Sequence, residues 1–260
     1  MSGARQDEAA HLRAAWHERG RSPARDFYVA SHPGWDDPAA RAAQARLDVT
    51  LIVHGLEADL ATRDVLEIGC GTGRLAAEVA PRARSYTGLD IAPSMVAEAR
   101  ARSGGLANAR FLECDGLQLP PAARDREYGL VFAHAVLIHC PREVVAAWFT
   151  AGLAALAPGG ELRCQLRADP QDAAGQDLAA PASSAGSSEA LEEARRQVAD
   201  QQRLAAGRPR ELDLALSEDF MGHAFGWDEA HALLGGAARG PFDLVRMGPA
   251  HLYARVVRRS

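Results

Sequence analysis

The stretch VLEIGCGTGRLA, residues 65–76, decides the fold of this chain. An apolar run that contains Glu67 leads directly into three alternating glycines, Gly69, Gly71 and Gly73. A glycine-rich turn between a strand and a helix places backbone N–H groups and the positive end of the helix against a ligand. The stretch therefore predicts a binding loop, which on its own fits a dinucleotide and another adenosine-bearing cofactor equally well.

Short apolar runs of strand length alternate with helical stretches on the carboxyl side of this loop. The predicted strands cover 65–69, 85–91, 109–114, 128–137 and 161–167, and the helices between them begin near Thr72, Pro93 and Pro141. Alternation of this kind predicts parallel strands joined by right-handed crossovers. Two closing runs, FDLVRM (242–247) and HLYARVV (251–257), are separated by only three residues and predict an antiparallel hairpin.

The flanking segments predict a domain organisation around this core. Helices are expected over 5–20 and 36–61, joined by a loop that carries Tyr28. The stretch from Asp169 to Ser188 is small and polar and predicts a mobile loop, which a polar helix and an aromatic segment follow. We therefore expect an N-terminal helical cap (1–62), a ligand-binding α/β core (63–168), a mobile loop with a helical lid over the substrate (169–235), and the closing hairpin (236–260).

Composition argues against several function classes. The chain has 260 residues and a formal net charge of −5, which argues against a nucleic-acid partner and against an anionic membrane surface. All 29 basic residues are arginines, so the lysine of a P-loop and the lysine of Schiff-base chemistry are both missing. Histidines and carboxylates are scattered without ligand spacing, so no metal site is predicted.

The cysteines and the N-terminus indicate a compartment. The four cysteines, at positions 70, 114, 140 and 164, form no CxxC pair, and three of them lie in or at the end of apolar runs. This pattern predicts buried thiols in a reducing compartment. The first residues contain no apolar signal core, and no stretch approaches the roughly 18 consecutive apolar residues of a membrane span. We expect a cytoplasmic protein.

Further features accompany the glycine loop. Asp90 ends the second apolar run, YTGLD, where a carboxylate accepts hydrogen bonds from both ribose hydroxyls of an adenosine. Glu67 lies two residues before the first glycine, and Asp115 follows the third run. The fourth run, YGLVFAHAVLIHC, ends in polar histidines, where an open α/β sheet places its ligand crevice.

Together with the closing hairpin, these residues resemble the class I S-adenosylmethionine-dependent methyltransferases over about residues 60–260. The resemblance implies an α/β fold: a Rossmann-like, seven-stranded, mostly parallel sheet with an antiparallel last strand and helices on both faces. The segment IHCP (138–141) is similar to a QHIP-like segment of many small-molecule methyltransferases, except that Ile138 replaces the glutamine and Cys140 occupies the third position. The implied cofactor is S-adenosyl-L-methionine and the implied partner is a small organic methyl acceptor. We expect a monomer or a homodimer.

The resemblance also implies residue roles. Glu67 would support the glycine loop or meet the methionine amino group through water, and Asp90 would hold the ribose. Asp115 would receive the adenine amino group. The other residues that the resemblance places around the cofactor are Tyr28, Gly69, Cys70, Gly71, Gly73, Ile91, Met95, Gly116, Leu117, Ala133 and His134.

Some of these residues have an alternative, purely structural interpretation. Asp90 could cap the helix that begins at Pro93, because aspartate is a good capping residue. Asp115 could be an ordinary loop residue. Met95 could belong to the core, and Tyr28 could simply pack under the N-terminal helices.

Three histidines are candidate general bases, since histidine titrates near neutral pH. His134 and His139 flank the end of the fourth apolar run, and His223 lies in the aromatic segment FMGHAFGW. A hydroxyl acceptor would gain from such a base, whereas an amine or carboxylate acceptor would need none. Each histidine could instead hold the cofactor or a loop backbone.

Two other functions stay open. One is a nicotinamide-dependent oxidoreductase, because GTGRLA (71–76) fits G-x-G-x-x-A; it predicts an all-parallel sheet. The other is a protein that binds S-adenosylmethionine without turnover or uses it in a reaction other than methylation, because fold does not fix function.

Overall fold

The computed structural model describes residues 2–30, 37–172, 222–238, 240–247 and 250–259. The lid expected over 169–235 therefore lies largely outside the described residues, as does part of the hairpin turn. The described residues include the α/β core, most of the N-terminal cap and both closing strands.

Seven strands organise the chain into one sheet. They are β1 (Asp64–Ile68), β2 (Ser85–Asp90), β3 (Ala109–Glu113), β4 (Tyr128–Ala133), β5 (Leu156–Arg167), β6 (Phe242–Met247) and β7 (His251–Val257). Their order is β3-β2-β1-β4-β5-β7-β6. Strands β1 to β5 pair in parallel, whereas β7 is antiparallel to both β5 and β6. The Rossmann-like sheet with an antiparallel end is thus confirmed, and the all-parallel sheet expected of a nicotinamide oxidoreductase is not found.

Helices cover both faces of this sheet. They are α1 (Ser2–Arg21), α2 (Arg25–Ala30), α3 (Pro38–Val53), α4 (Ala76–Val79), α5 (Pro93–Arg102), α6 (Arg142–Ala154) and α7 (Trp227–Ala237). One apolar cluster includes Trp148 of α6 and Leu234 of α7, and the other includes Val49 of α3, Val79 of α4 and Val96 of α5. No helix among the described residues is both long enough and apolar enough to cross a membrane.

Strand β1 lies in the middle of the sheet and is buried along its whole length, between β2 and β4. The order of the strands reverses between β1 and β4. In open α/β sheets, ligands bind outside the carboxyl ends of the strands at such a reversal. The glycine loop leaves β1 at this edge, and Asp90 ends the neighbouring strand β2.

Several predicted boundaries are wrong, each for a local reason. Strand β4 ends at Ala133 and not at residue 137, because Ala135 adopts a left-handed φ of 57° that no strand accommodates. The helix expected near Thr72 begins at Ala76, because three glycines with positive φ hold the preceding loop out of helical geometry. The loop expected around Tyr28 contains the short helix α2.

Strand β5 begins at Leu156, five residues before its predicted start at 161, and includes the segment PGG (158–160). The pairing of β4 with β5 shifts its register there, as at a bulge. The backbone approaches so closely that a Cβ added to Gly160 would lie 2.7 Å from the carbonyl oxygen of Tyr128 and 2.8 Å from that of Ala157. Gly160 is therefore required by close contact between two backbones.

We predict that Gly160→Ala destabilises the protein by about 1–3 kcal/mol, because the backbone of a central strand must shift to admit the methyl group. Gly236→Ala is the matched control. Gly236 lies near the end of α7 with open space around its Cα, so alanine there should stabilise by roughly 0.5–1 kcal/mol through helix propensity. Equilibrium denaturation measures both free energies of unfolding, and equal values for the two variants would contradict the steric argument.

Candidate active site

A cavity opens at the carboxyl ends of β1, β2 and β4. Small-molecule ligands bind in concave sites of this kind. The sequence-predicted site residues that line it are Tyr28, Glu67, Gly69, Cys70, Gly71, Asp90, Ile91, Met95, Gly116, His134 and His139. Residues that are up to 111 positions apart in the chain therefore meet around one space.

Four predicted cofactor residues lie beside the cavity and do not line it. Gly73 turns the loop with a φ of 78° and packs against α5, where an added Cβ would lie 3.2 Å from Ala99. Ala133 is buried at the end of β4. Leu117 packs against the apolar cluster that contains Trp148. The Asp115 carboxylate accepts hydrogen bonds at 2.9 Å from the backbone N–H groups of residues 117 and 118, as a turn-forming aspartate does.

His223 also lies away from the cavity lining. Its Nε2 is 3.0 Å from both carboxylate oxygens of Glu229, which in turn accepts a 2.7 Å hydrogen bond from Arg142. The backbone next to His223 runs along the segment after β4, where the N–H of His223 donates to the carbonyl of Cys140. The imidazole is therefore engaged with α7 and the start of α6.

The glycine loop forms the floor of the cavity. Gly69 and Gly71 have φ values of 72° and 53°, which side-chain-bearing residues rarely adopt. A Cβ on Gly69 would collide with the side chain of Val136, and one on Gly71 would lie 3.1 Å from that of Val29. Both glycines are therefore required by their backbone angles and by close packing against valine side chains, and both line the cavity.

Asp90 joins this loop to α5. One carboxylate oxygen accepts a 2.8 Å hydrogen bond from the N–H of Gly71, and the other accepts a 2.9 Å bond from the N–H of Ala92. Burial raises the pKa of Asp90 to about 6, although these N–H groups oppose the rise. Asp90 thus bonds the N–H of Ala92, the N-cap residue, and is not itself the cap of α5. Each oxygen nevertheless keeps a second lone pair, and the residue lines the cavity.

Glu67 is the other buried carboxylate of the cavity wall. Burial raises its pKa to about 8, and the positive charge of Arg74 only partly opposes this effect. The Tyr86 hydroxyl donates a hydrogen bond to the carboxylate from the neighbouring strand β2. Glu67 is therefore protonated at neutral pH in the free protein and is held in a fixed position.

The N-terminal helices cover the cavity. Leu12 and Trp16 of α1, and Tyr28 and Val29 of α2, form part of its lining. Arg13 fixes α1 over the strand ends, because its Nη1 donates to the carbonyl oxygen of Ile91 at 2.9 Å. Leu12, Trp16 and Val29 were not among the predicted site residues, although the apolar spacing of α1 indicated that it had a buried face.

An ion cluster that the sequence analysis missed lies behind the end of β4. Asp48 of α3 is 2.5 Å from Nη1 of Arg74 and 3.4 Å from Nε2 of His134, and it accepts a 2.8 Å hydrogen bond from Gln44. Burial opposes ionisation of Asp48, but His134 and Arg74 hold its pKa well below the usual range. The sequence contained one signal for this cluster: Asp48 is a carboxylate on the buried side of α3, near Ala45 and Val49.

The two histidines at the end of β4 differ in their surroundings. His134 has Asp48 at one ring nitrogen and the Tyr253 hydroxyl 3.4 Å from the other. His139 is buried in the cavity wall, with its ring centroid 5.3 Å from that of Trp16. Between them, Ala135 holds its left-handed φ and donates a 2.9 Å hydrogen bond to Gln165. Strained backbone of this kind clusters at functional sites.

The chemistry available in the cavity is that of carboxylates, imidazoles and bare backbone. Among the residues that the structure describes, no three His, Cys, Asp or Glu side chains are grouped so that they could hold a metal ion. The four cysteines are buried free thiols, and burial raises the pKa of each of them. The four thiols are therefore protonated and unreactive in that environment.

Comparison with known proteins adds the family. Residues 65–160 match the family model of a methyltransferase domain, whereas no curated protein sequence matches the chain. The solved complex of DhpI with S-adenosylhomocysteine is 23% identical, with a TM-score of 0.53 over 97% of this chain and 95% of that one. NodS, an N-methyltransferase from Bradyrhizobium japonicum WM9, is 16% identical, with a TM-score of 0.56 over 96% and 99%.

Magnesium protoporphyrin IX methyltransferase from Synechocystis PCC 6803 is 18% identical, with a TM-score of 0.58 over 96% of this chain and 99% of that one. At these identities the solved structures support the fold. The matched segment, residues 65–160, is similar to a methyltransferase domain and encloses the glycine loop, Asp90 and the segment after β4.

Proposed function

We propose that this protein transfers a methyl group from S-adenosylmethionine to an oxygen or nitrogen atom of a small organic acceptor. The observation that carries the proposal is the cavity, whose lining combines the glycine loop with the buried carboxylates of Glu67 and Asp90 beneath an aromatic cover. The structural relatives include an N-methyltransferase and a magnesium protoporphyrin IX methyltransferase, so their acceptors differ.

The residues present fit the cofactor. Gly69 and Gly71, which line the cavity, would face its amino-acid portion. The remaining lone pairs of Asp90 would accept the ribose hydroxyls, and Glu67 would meet the ammonium group. The residues proposed around the adenine are Ile91, Met95, Asp115, Gly116 and Leu117. When bound, S-adenosylmethionine supplies a methyl group activated by its positively charged sulfur.

The protein's contribution is alignment and exclusion of water. Positioning of reactants can supply about 7–11 kcal/mol in favourable cases. The N-terminal cap would keep water from the reacting atoms through Trp16 and Tyr28, which form part of the cavity lining. The rigid sheet edge beneath them fixes the loop on which the donor would lie.

A hydroxyl acceptor would also need a general base, for which His139 is a candidate because it lines the cavity beside Trp16. His134 also lines the cavity, and its ring nitrogens lie near Asp48 and the Tyr253 hydroxyl. We assign His134 a positioning role beside Ala133 and the reacting sulfur. His223, paired with Glu229 outside the cavity lining, is the third candidate.

The role of Asp90 is testable by binding. Asp90→Asn keeps the size of the side chain but removes its charge, so affinity for S-adenosylhomocysteine should fall at least about tenfold, as expected for lost hydrogen bonds to a charged group. Isothermal titration calorimetry measures this, with Asp125→Asn as a surface control. Nicotinamide dinucleotides should not bind. Unchanged affinity in a folded Asp90→Asn variant would remove this residue from the site.

Glu67 should make cofactor binding depend on pH. Its pKa of about 8 keeps it protonated at neutral pH, so pairing its ionised form with the ammonium group requires release of a proton. Affinity should therefore rise with pH up to about 8 and then level off. Calorimetry in buffers of different ionisation enthalpy, between roughly pH 6.5 and 8.5, measures the released proton.

Glu67→Gln is the matched variant for this measurement. It cannot ionise, so the proton release near pH 7 should disappear and the affinity should become flat over the same range. Proton release that persists unchanged in Glu67→Gln would assign the titration to another group.

A further inference from the structure

The proposed cofactor contacts and methyl transfer leave one charged side chain of the cavity wall without a role. Arg74 follows the last glycine of the loop, and its side chain is only 10% exposed. It is the sole arginine among the described residues that line the cavity. A buried guanidinium cannot shed its charge, so the protein must supply anionic or acceptor partners for it.

The described residues supply only some of the partners that the Arg74 guanidinium requires. Asp48 contacts Nη1 of Arg74 at 2.5 Å, and it is itself fixed by Gln44 and lies beside His134. Nε of Arg74 is buried and has no hydrogen-bond partner. A buried donor without a partner is desolvated without compensation. The guanidinium is therefore held firmly along one edge and left unsatisfied at another.

We propose that Arg74 binds the carboxylate at the amino-acid end of S-adenosylmethionine, through the edge of the guanidinium that Asp48 leaves open. A guanidinium edge and a carboxylate match as two parallel N–H···O hydrogen bonds. This inference rests on the proposed function and extends it to a residue that the glycine motif itself does not specify.

The charges around the loop support this assignment. Arg74 lies close enough to Glu67 to oppose the rise of the Glu67 pKa. One end of the cavity thus carries a cation and an ionisable carboxylate next to each other. An amino acid carries a carboxylate and an ammonium group side by side, so the two pairs of charges are complementary. Asp48 would act as a positioning residue, because it contacts Arg74 and does not line the cavity.

The competing explanation is that Arg74 only ties α3 to the glycine loop through Asp48. The two explanations predict different affinities for a ligand that lacks the carboxylate. We would measure the binding of S-adenosylmethionine and of decarboxylated S-adenosylmethionine, which keeps the sulfonium and the ammonium group, by calorimetry. The wild type should bind the decarboxylated ligand about 10–100-fold more weakly, the range for hydrogen bonds between charged groups.

Arg74→Gln should lower the affinity for S-adenosylmethionine by a similar factor and leave that for the decarboxylated ligand within about twofold, so the preference disappears. Arg74→Lys should retain part of the preference, because it keeps the charge but loses the paired geometry. Arg46→Gln is the control: Arg46 is exposed, pairs with Glu78 and does not line the cavity, so both affinities should be unchanged.

Because both ligands bind the same folded fraction, their affinity ratio is insensitive to partial loss of stability in Arg74→Gln. Equal weakening of both ligands by that substitution would mean that Arg74 only supports the loop, and would overturn this proposal while leaving the proposed function intact. A wild type that binds neither ligand would instead overturn the proposed function and, with it, the role of Arg74.

Discussion

The Asp90 carboxylate holds together the two chain segments between which the cavity opens. The glycine loop has positive φ angles and so leaves its N–H groups without the regular partners of a helix or sheet. Asp90 accepts one of these groups, from Gly71, and an N–H group at the start of α5. Its position at the end of β2 thus fixes both the shape of the loop and the entry of the helix.

The three buried carboxylates at this edge show how partners decide the state of a charge. Burial raises the pKa of Glu67 and of Asp90, because a tyrosine hydroxyl or a pair of backbone N–H groups cannot fully replace water. Asp48 is equally removed from water but stays ionised, because Arg74 and His134 contact it. The first two carboxylates line the cavity, so a polar ligand bound there would supply the hydrogen-bond partners that the protein itself does not provide.

The sequence predicted those parts of the site that are encoded over short distances in the chain. The spacing of glycines, the acidic ends of β1 and β2 and the pairing of the two closing runs are all local signals, and the structure has them where they were expected. Trp16 and Asp48 were missed, because their place depends on how α1 and α3 dock on the sheet. The left-handed Ala135 was missed too, because alanine gives no sign of positive φ.

Docking of the N-terminal cap follows a different physical rule from assembly of the sheet. The strands bury continuous apolar runs, whereas α1 and α2 bury few apolar side chains, Leu12 and Phe27 among them, and also make polar contacts around the cavity. These include the bond from the Ser94 hydroxyl to the carbonyl of His17 at 2.7 Å and the ion pair between Asp26 and Arg102 at 2.7 Å. Partly exposed ion pairs contribute about 0–1 kcal/mol each.

The cap therefore has fewer apolar contacts to break than the sheet, and segments of low local stability are those that open first. Trp16 and Tyr28 of the cap line one side of the cavity, and the glycine loop and Asp90, at the edge of the sheet, line the other. We expect the cap side to open first, so that the residues proposed to bind the cofactor stay in place while access to them changes.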